Sequence, residues 1–183
     1  MQLNPEIEVE LIFDDKELDL STRQADIGIF MRRPKRLNYI QKKLIDINYH
    51  IYASPKYLEK KGNPKNIIDL NKHNFISYGK GNPSPVYNPD WALKLGMKDN
   101  KKRKTVMKVN SVYGLLLAVQ SGVGLAALPD YITVNQPNIV KILPNVEGPI
   151  TEAHFVYPES MKNVARLQAF RNFLYSKISE WKF

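Results

Sequence analysis

The stretch from Asn110 to Pro129 constrains the fold more than any other part of this 183-residue chain. Asn110 and Ser111 are residues that cap helices, and the nine residues after them, V-Y-G-L-L-L-A-V-Q, carry no charge. Gly122 ends this predicted helix, and residues 124–129 form a predicted apolar strand. Because leucines at 115, 116 and 117 make the helix apolar most of the way round, we expect it to be buried on several sides.

Predicted strands and helices alternate along the rest of the chain, which is typical of an α/β fold with mainly parallel sheets. Strands are predicted at 6–13, 25–30, 39–44, 47–53, 74–78, 105–109, 138–143 and 153–157, and helices at 55–61, 91–95 and 164–181. Residues 14–24 are polar and short enough for one or two helical turns. Together with the strands on either side, they predict a βαβ unit whose two strands run parallel.

Composition and charge limit the cellular location and the kinds of partner that we expect for this chain. The chain has no cysteine, and its acidic N-terminus is not a signal peptide, so we expect a cytoplasmic protein. The longest apolar run, 112–129, is too polar to span a bilayer. The net charge of +9 is uneven, since residues 1–27 hold eight acids and two bases. We expect a solvated, lysine-rich surface rather than a nucleic-acid face, and we interpret the six bases between Lys98 and Lys108 as a solvated edge.

Five stretches, in order, resemble the effector-binding domain of LysR-type transcriptional regulators. VNSVYGLLLAVQSGVGLAALPDYI is similar to the family's late signature of a polar cap, an apolar helix, G-x-G and a strand that ends in proline. The other stretches are NPEIEVELIFDD, QADIGIF, YHIYASPKYLEKKGNPKNIIDLNKHNFISY and EAHFVYPESMKNVARLQAFRNFL. The resemblance covers essentially the whole chain.

The resemblance implies a two-lobed fold like that of type 2 periplasmic binding proteins, with an effector bound between the lobes. Lobe one is expected to comprise 1–48 and 154–183, lobe two 49–153, with hinge crossovers near 49–53 and 153–157. The sequence contains no counterpart of the family's winged helix-turn-helix domain, nor of the first strand and helix of lobe one. DNA binding is therefore expected only through that N-terminal domain, and a homodimer or tetramer only in a full-length parent.

Five residues are candidate effector ligands. Asn110, Ser111 and Val112 lie where a buried helix begins, and free N–H groups there favour an anion, although plain capping would place the same residues. Tyr78 and the loop 79–85 follow a strand end, where α/β proteins bind ligands. Arg32 follows the 25–30 strand and could hold an acidic effector through two hydrogen bonds, or simply be solvated.

Catalysis and metal binding have no support in the sequence. His50, His73 and His154 share no helical turn, and no nucleophile elbow or phosphate loop occurs. We therefore predict no catalytic residue, no metal and no cofactor. The expected function is the sensing of a small anionic or polar metabolite by a transcription regulator. Two alternatives remain open: a transporter's solute-binding protein, which predicts an export signal, and an enzyme on the same fold, which needs a catalytic pair in its cleft.

Overall fold

The computed structural model describes residues 5–13, 18–34, 38–79, 88–99 and 101–181. Two compact units are present: unit 1 lies within residues 1–46 and 152–182, and unit 2 comprises the described part of 47–151. The chain crosses from unit 1 into unit 2 once and returns once, so both ends of the sequence contribute to unit 1. The lobes predicted from the sequence, as the two sides of one effector cleft, stay a prediction.

The strands are β1 (Gly28–Phe30), β2 (Tyr39–Ile47), β3 (Tyr49–Ala53), β4 (Phe75–Tyr78), β5 (Thr105–Val109), β6 (Ala126–Pro129), β7 (Val140–Ile142) and β8 (Thr151–Pro158). The helices are α1 (Pro55–Lys61), α2 (Trp91–Lys94), α3 (Val112–Gln120) and α4 (Ala165–Ser179). Short 3₁₀ turns lie at Leu20–Thr22, Asp69–Lys72, Asp130–Ile132 and Glu159–Met161. No helix of the described residues is long and apolar enough to cross a membrane.

Unit 1 contains a three-stranded sheet in the order β1-β8-β2, with β1 antiparallel to β8. Its core forms where β8 packs against α4: Phe155, Tyr157 and Leu167 are almost fully buried, and Phe170 and Leu174 pack onto them. A second cluster joins Leu20, Tyr39 and Val156. Both clusters arise from the alternation of side chains along β8, which places successive residues on opposite faces of the sheet.

The predicted first strand is wrong, and so is the parallel βαβ unit built on it. Residues 6–13 contain no strand, and Leu11 and Phe13 are 70% and 92% exposed. A strand needs the hydrogen-bonding groups of a neighbour, and in the described residues no strand pairs with this segment. Of the predicted helical turns in 14–24, residues 14–17 lie outside the described residues; the remainder forms the 3₁₀ turn at Leu20–Thr22, capped by Asp19.

Unit 2 places β3 between two strands that are far away in sequence, in the order β6-β3-β7, while β4 pairs with β5. Here the expectation of mainly parallel sheets is wrong. β3 is antiparallel to both its neighbours, and parallel pairing among the described strands joins only β4 to β5, with an added parallel bridge from Phe75 to Leu125. Alternation of strands and helices predicts direction only where consecutive strands are neighbours, and β3 has no consecutive neighbour in its sheet.

The apolar helix predicted at 112–120 is present as α3, and it packs on the core of unit 2. Leu115, Leu116, Ala118 and Val119 are buried among side chains of β3, β4 and β6. Tyr113 and Leu117, however, are 65% and 46% exposed. Because these two residues are four positions apart, they form one exposed stripe, so α3 is buried on fewer sides than its sequence predicts.

Candidate functional site

The carboxyl ends of β4 and β5 lie side by side. The parallel register aligns Tyr78 with Val109, and the Gly79 N–H donates to the Val109 carbonyl at 2.9 Å. Each strand then runs directly into a segment that the sequence singled out, the loop after Tyr78 and the start of α3 after Val109. Parallel pairing thus brings together two candidate segments that are about thirty residues apart.

Four of the five predicted ligand residues meet at the start of α3. The Tyr78 hydroxyl donates to the Asn110 carbonyl at 2.8 Å. Ser111 caps the helix, since its Oγ accepts from the Gly114 N–H at 3.2 Å and its carbonyl accepts from the Leu115 N–H. Within the described part of the chain, the N–H groups of Val112 and Tyr113 have no acceptor, as expected for the first turn of a helix.

A pocket opens beside this helix start, within unit 2. It lies between β3, β4, β6, α2 and α3 and has a cavity volume of about 20 Å³, within a wider space of about 450 Å³ that includes open solvent. Its lining is largely apolar and aromatic, and it includes Tyr49, Ser77, Tyr78, Trp91, Val112 and Leu115. Of the described lining residues, none is acidic, basic or a histidine.

One side chain of the lining has a hydrogen-bond donor without a partner. Trp91 is 8% exposed, and its indole N–H has no acceptor among the described residues. A buried donor without a partner costs about 1–3 kcal/mol, so a ligand acceptor that reached it would recover that free energy. Trp91 is not among the ligand residues predicted from the sequence, where residues 91–95 indicate only a short helix.

Tyr49, on the β3 wall of the pocket, supplies a pH-dependent test of this packing. Burial raises the pKa of Tyr49 from its ordinary 10.0 to about 12, with a smaller contribution from Tyr131. In the unfolded chain Tyr49 ionises above its ordinary pKa of 10.0, whereas in the folded protein it stays neutral up to a pKa of about 12. The free energy of unfolding therefore falls as the pH rises between these two values. Each pH unit between these values costs about 1.4 kcal/mol.

We therefore expect Tyr49→Phe to lose less stability than wild type between pH 9 and 11.5, as measured by urea unfolding at both pH values. Tyr113→Phe, at an exposed position, should retain the wild-type loss. Equal losses for wild type and Tyr49→Phe would mean that Tyr49 is not buried in this pocket wall.

Arg32, the fifth predicted ligand residue, belongs to unit 1. It is exposed in the segment after β1. In the loop 79–85, Gly79 lies beside the Asn110 backbone, so that a Cβ added at position 79 would lie 3.5 Å from the Asn110 nitrogen. Residues 80–85 lie outside the described residues. The roles of Arg32 and this loop stay predictions.

Sequence reasoning missed a buried polar network around Asp130. One carboxylate oxygen lies 2.8 Å from His50 Nδ1 and accepts from the Tyr52 hydroxyl at 2.9 Å; the other accepts from Lys141 at 3.2 Å. Burial raises the pKa of Tyr52, and its bond to Asp130 adds to that rise. His50 and Asp130 are eighty positions apart and meet only through the antiparallel pairing of β3 with β6, so no local pattern could reveal them.

The basic run at 98–108 is not wholly the solvated edge that the sequence predicts. Arg103 is 8% exposed and lies over the Phe75 ring. Its guanidinium donates to the carbonyls of Ala92, Leu95 and Ile67 and to the Asn71 side chain. Arg103 therefore holds the end of α2 and the segment before β4 in place, whereas the other bases of the run are exposed.

The described residues include no cluster of three or more histidine or acidic side chains that could hold a metal ion. The polar side-chain groups of the described lining residues are hydroxyls and the Trp91 indole N–H, which can donate hydrogen bonds to acceptor oxygens. This arrangement fits recognition of a small molecule, with an apolar wall for its body and donors for its polar end.

Comparison with known proteins identifies a matching family and several relatives. A family model described as the LysR substrate binding domain matches residues 1–178. An uncharacterised HTH-type transcriptional regulator of Haemophilus influenzae is 27% identical over 162 residues, which cover 86% of this chain and 55% of the relative. The HTH-type transcriptional regulator CrgA of Neisseria meningitidis is 23% identical over 178 residues, 95% of this chain and 58% of the relative. The chain thus spans about half the length of the curated relatives it matches.

Solved structures agree on the fold. The regulatory domain of CrgA aligns with a TM-score of 0.83 at 22% identity, covering 97% of this chain and 88% of that one. The effector domain of AmpR from Pseudomonas aeruginosa aligns with a TM-score of 0.72 at 16% identity, covering 97% and 84%. The chain belongs to the LysR substrate binding domain family and shares the α/β fold of LysR regulatory domains.

Proposed function

We propose that the pocket beside α3 binds the effector, and that the effector is a small polar or anionic metabolite. The observation that carries this proposal is the convergence of unmet donors on one mostly apolar pocket. Trp91 brings a buried indole N–H without an acceptor, and Val112 brings a free helix N–H. Both residues line the same space, together with Tyr78.

The electrostatics of α3 favour an acceptor that carries negative charge. The aligned peptide dipoles of its nine residues place partial positive charge at Val112 and Tyr113. Ser111 uses its oxygen as an acceptor toward Gly114, which leaves its hydroxyl hydrogen available for a ligand. No carboxylate among the described lining residues opposes an anion. A carboxylate or phosphate on an apolar body matches this arrangement best.

The same lining supports a binding role. General acid–base catalysis at neutral pH requires a group such as histidine, aspartate, glutamate or lysine within reach of the substrate. None of these lines the described pocket, whose ionisable side chains are the tyrosines Tyr49 and Tyr78. A pocket that offers donors and an apolar wall is suited to selecting a ligand, as a sensor requires.

In this proposal the chain acts inside a longer regulator in the cytoplasm, whose other part contacts DNA and whose copies associate. Effector binding changes DNA binding only if the effector has different affinities for two states of the regulator. Arg32 stays a predicted ligand of an anionic effector, since a guanidinium can hold a carboxylate or phosphate through two hydrogen bonds.

Calorimetry and thermal-shift measurements on the 183-residue chain test the proposal. The probes are acetate, benzoate, citrate and inorganic phosphate, with acetamide and benzamide as neutral controls. We expect at least one anion to bind more tightly than its neutral counterpart. Ser111→Ala should then weaken the complex by about 1.5–3 kcal/mol if the lost bond is to a charged group, or about 0.5–1.5 kcal/mol if it is not.

Ser121→Ala, at the other end of α3, is the matched control and should bind like wild type. Trp91→Phe should weaken every ligand that wild type binds, and Arg32→Ala should weaken anions more than neutral analogues. Wild-type affinity in both Ser111→Ala and Trp91→Phe would rule this pocket out as the effector site.

A further inference from the structure

A second cavity of unit 2 lies at the other end of α3 from the candidate effector pocket. Its described lining consists of Ser54, Pro55, Lys56, Gln120 and Asn138, and we call it the Lys56 groove. It has a cavity volume of about 360 Å³, within a wider space of about 610 Å³ that includes open solvent. Pockets that hold small molecules enclose about 300–1,000 Å³, so the groove is large enough for one.

The walls of the groove come from three parts of unit 2: the start of α1, the end of α3 and the segment before β7. The strand β7 is antiparallel to β3, with Val140 opposite Ala53, and this pairing brings Asn138 to the start of α1. The turn after α3 passes close to the same place, because Gly122 has a positive φ of 79° and a Cβ added there would lie 3.5 Å from the Ser54 Oγ. The backbone of β3, α1 and α3 therefore fixes the position of the groove.

The groove contains hydrogen-bonding groups that the fold leaves unused. The side chains of Lys56 and Asn138 are exposed and have no hydrogen-bond or ion-pair partner among the described residues. Gln120 donates through Nε2 to the Gln136 Oε1 at 2.8 Å. This bond holds the Gln120 amide in place and leaves its carbonyl oxygen as an acceptor for a ligand.

The charge and polarity of these groups indicate the class of ligand. Lys56 carries a positive charge, and no described residue of the lining is acidic. A lysine ammonium binds phosphate or carboxylate groups as a point charge. Carboxamides donate and accept hydrogen bonds at once and therefore match hydroxyl groups, which do the same. Apart from Pro55, the described lining has no apolar residue to hold an aromatic or aliphatic ligand.

We propose that the Lys56 groove binds an anionic sugar, which carries a phosphate or carboxylate group on a hydroxylated body. Lys56 holds the anionic group, and the carboxamides of Gln120 and Asn138 bond to the hydroxyls. The groove shares no lining residue with the candidate effector pocket, and the nine residues of α3 between them span about 13 Å. One chain can therefore hold a ligand in each place, and this proposal does not depend on the effector site.

Calorimetry on the 183-residue chain tests the proposal with two anionic sugars, glucose 6-phosphate and glucuronate. Glucose and inorganic phosphate are the controls, since each carries only one of the two kinds of group. We expect at least one anionic sugar to bind at least about tenfold more tightly than both controls. Lys56→Met should raise the Kd of that sugar at least about tenfold, because it removes a hydrogen bond to a charged group. Lys60→Met, at an exposed position of the same helix, should keep the wild-type Kd.

Asn138→Asp replaces the amide by a carboxylate of the same shape and should also raise the Kd about tenfold, since its charge repels the ligand. Asn145→Asp makes the same change at another exposed position and should leave the Kd unchanged. In nitrogen–proton NMR spectra, the side-chain amide signals of Gln120 and Asn138 should shift with the Kd found by calorimetry. No binding of either sugar, equal affinity for inorganic phosphate, or a wild-type Kd in Lys56→Met or Asn138→Asp would each overturn the proposal.

Discussion

Leu116→Asp is expected to unfold unit 2. Leu116 is 2% exposed in the middle of α3, where it packs in the cluster that joins this helix to β3, β4 and β6. The substitution removes a buried leucine side chain, which costs about 2–5 kcal/mol, and adds the burial of an unpaired carboxylate. A domain of ordinary stability has about 5–15 kcal/mol in total, so little folded protein should remain. Circular dichroism and urea unfolding provide the measurement.

Leu117→Asp is the matched control. Leu117 is the next residue of the same helix and is 46% exposed, so the same substitution there should cost less than about 1 kcal/mol. The two variants differ only in which side of α3 receives the charge. If both fold cooperatively with similar stability, α3 is not the core helix of unit 2.

Arg103→Met is expected to lower the free energy of unfolding by about 2–4 kcal/mol. The substitution keeps an apolar stem over the Phe75 ring but removes every donor of the guanidinium. Three backbone carbonyls and the Asn71 side chain lose their partner, and hydrogen bonds to a charged group contribute about 1.5–3 kcal/mol each, though not additively. Urea unfolding of the variant measures the loss directly.

Lys102→Met removes the same charge from the preceding residue and is the control. Lys102 makes an exposed ion pair with Asp90, and such pairs contribute about 0–1 kcal/mol. The variant should therefore stay within about 1 kcal/mol of wild type. Similar losses at positions 102 and 103 would contradict the assignment of Arg103 as a buried support for α2.

Local sequence patterns predicted the parts of the fold that local interactions decide. Ser54, Pro55 and Gly62 mark the ends of α1 as predicted, with Ser54 accepting from the Tyr57 N–H and Gly62 at a positive φ of 81°. Ser111 caps α3 in the same way. A cap works through atoms within one helical turn, so its residues are recognisable without knowledge of the fold.

Features that depend on distant partners escaped sequence reasoning. Residues 6–13 have the alternation of a strand but lie beside no strand, and β3 is flanked by β6 and β7, whose direction no local pattern records. Arg103 has the same sequence context as its exposed neighbours and differs only in the carbonyls that surround it. In each case the structure is determined by contacts between residues far apart along the chain.

The residues of the candidate site also fall into two groups, those that local patterns predict and those that only the fold brings together. Tyr78, Asn110, Ser111 and Val112 could be predicted because each follows the end of a strand or begins a helix. Trp91 and Tyr49 could not, since the first lies on a four-residue helix and the second at the start of β3, and only the fold brings them to one pocket.

The indole and amide signals of the chain in a nitrogen–proton NMR titration test the effector site most directly. The probe is whichever anion of the panel shows the strongest binding by calorimetry. We expect the signals of the Trp91 indole N–H and of the Val112 and Tyr113 amides to shift together, with the Kd found by calorimetry. The chain's other tryptophan, Trp181 at the end of α4, should not shift. Saturable shifts confined to other residues, with those of Trp91 and Val112 unmoved, would contradict the proposal that this pocket senses the effector.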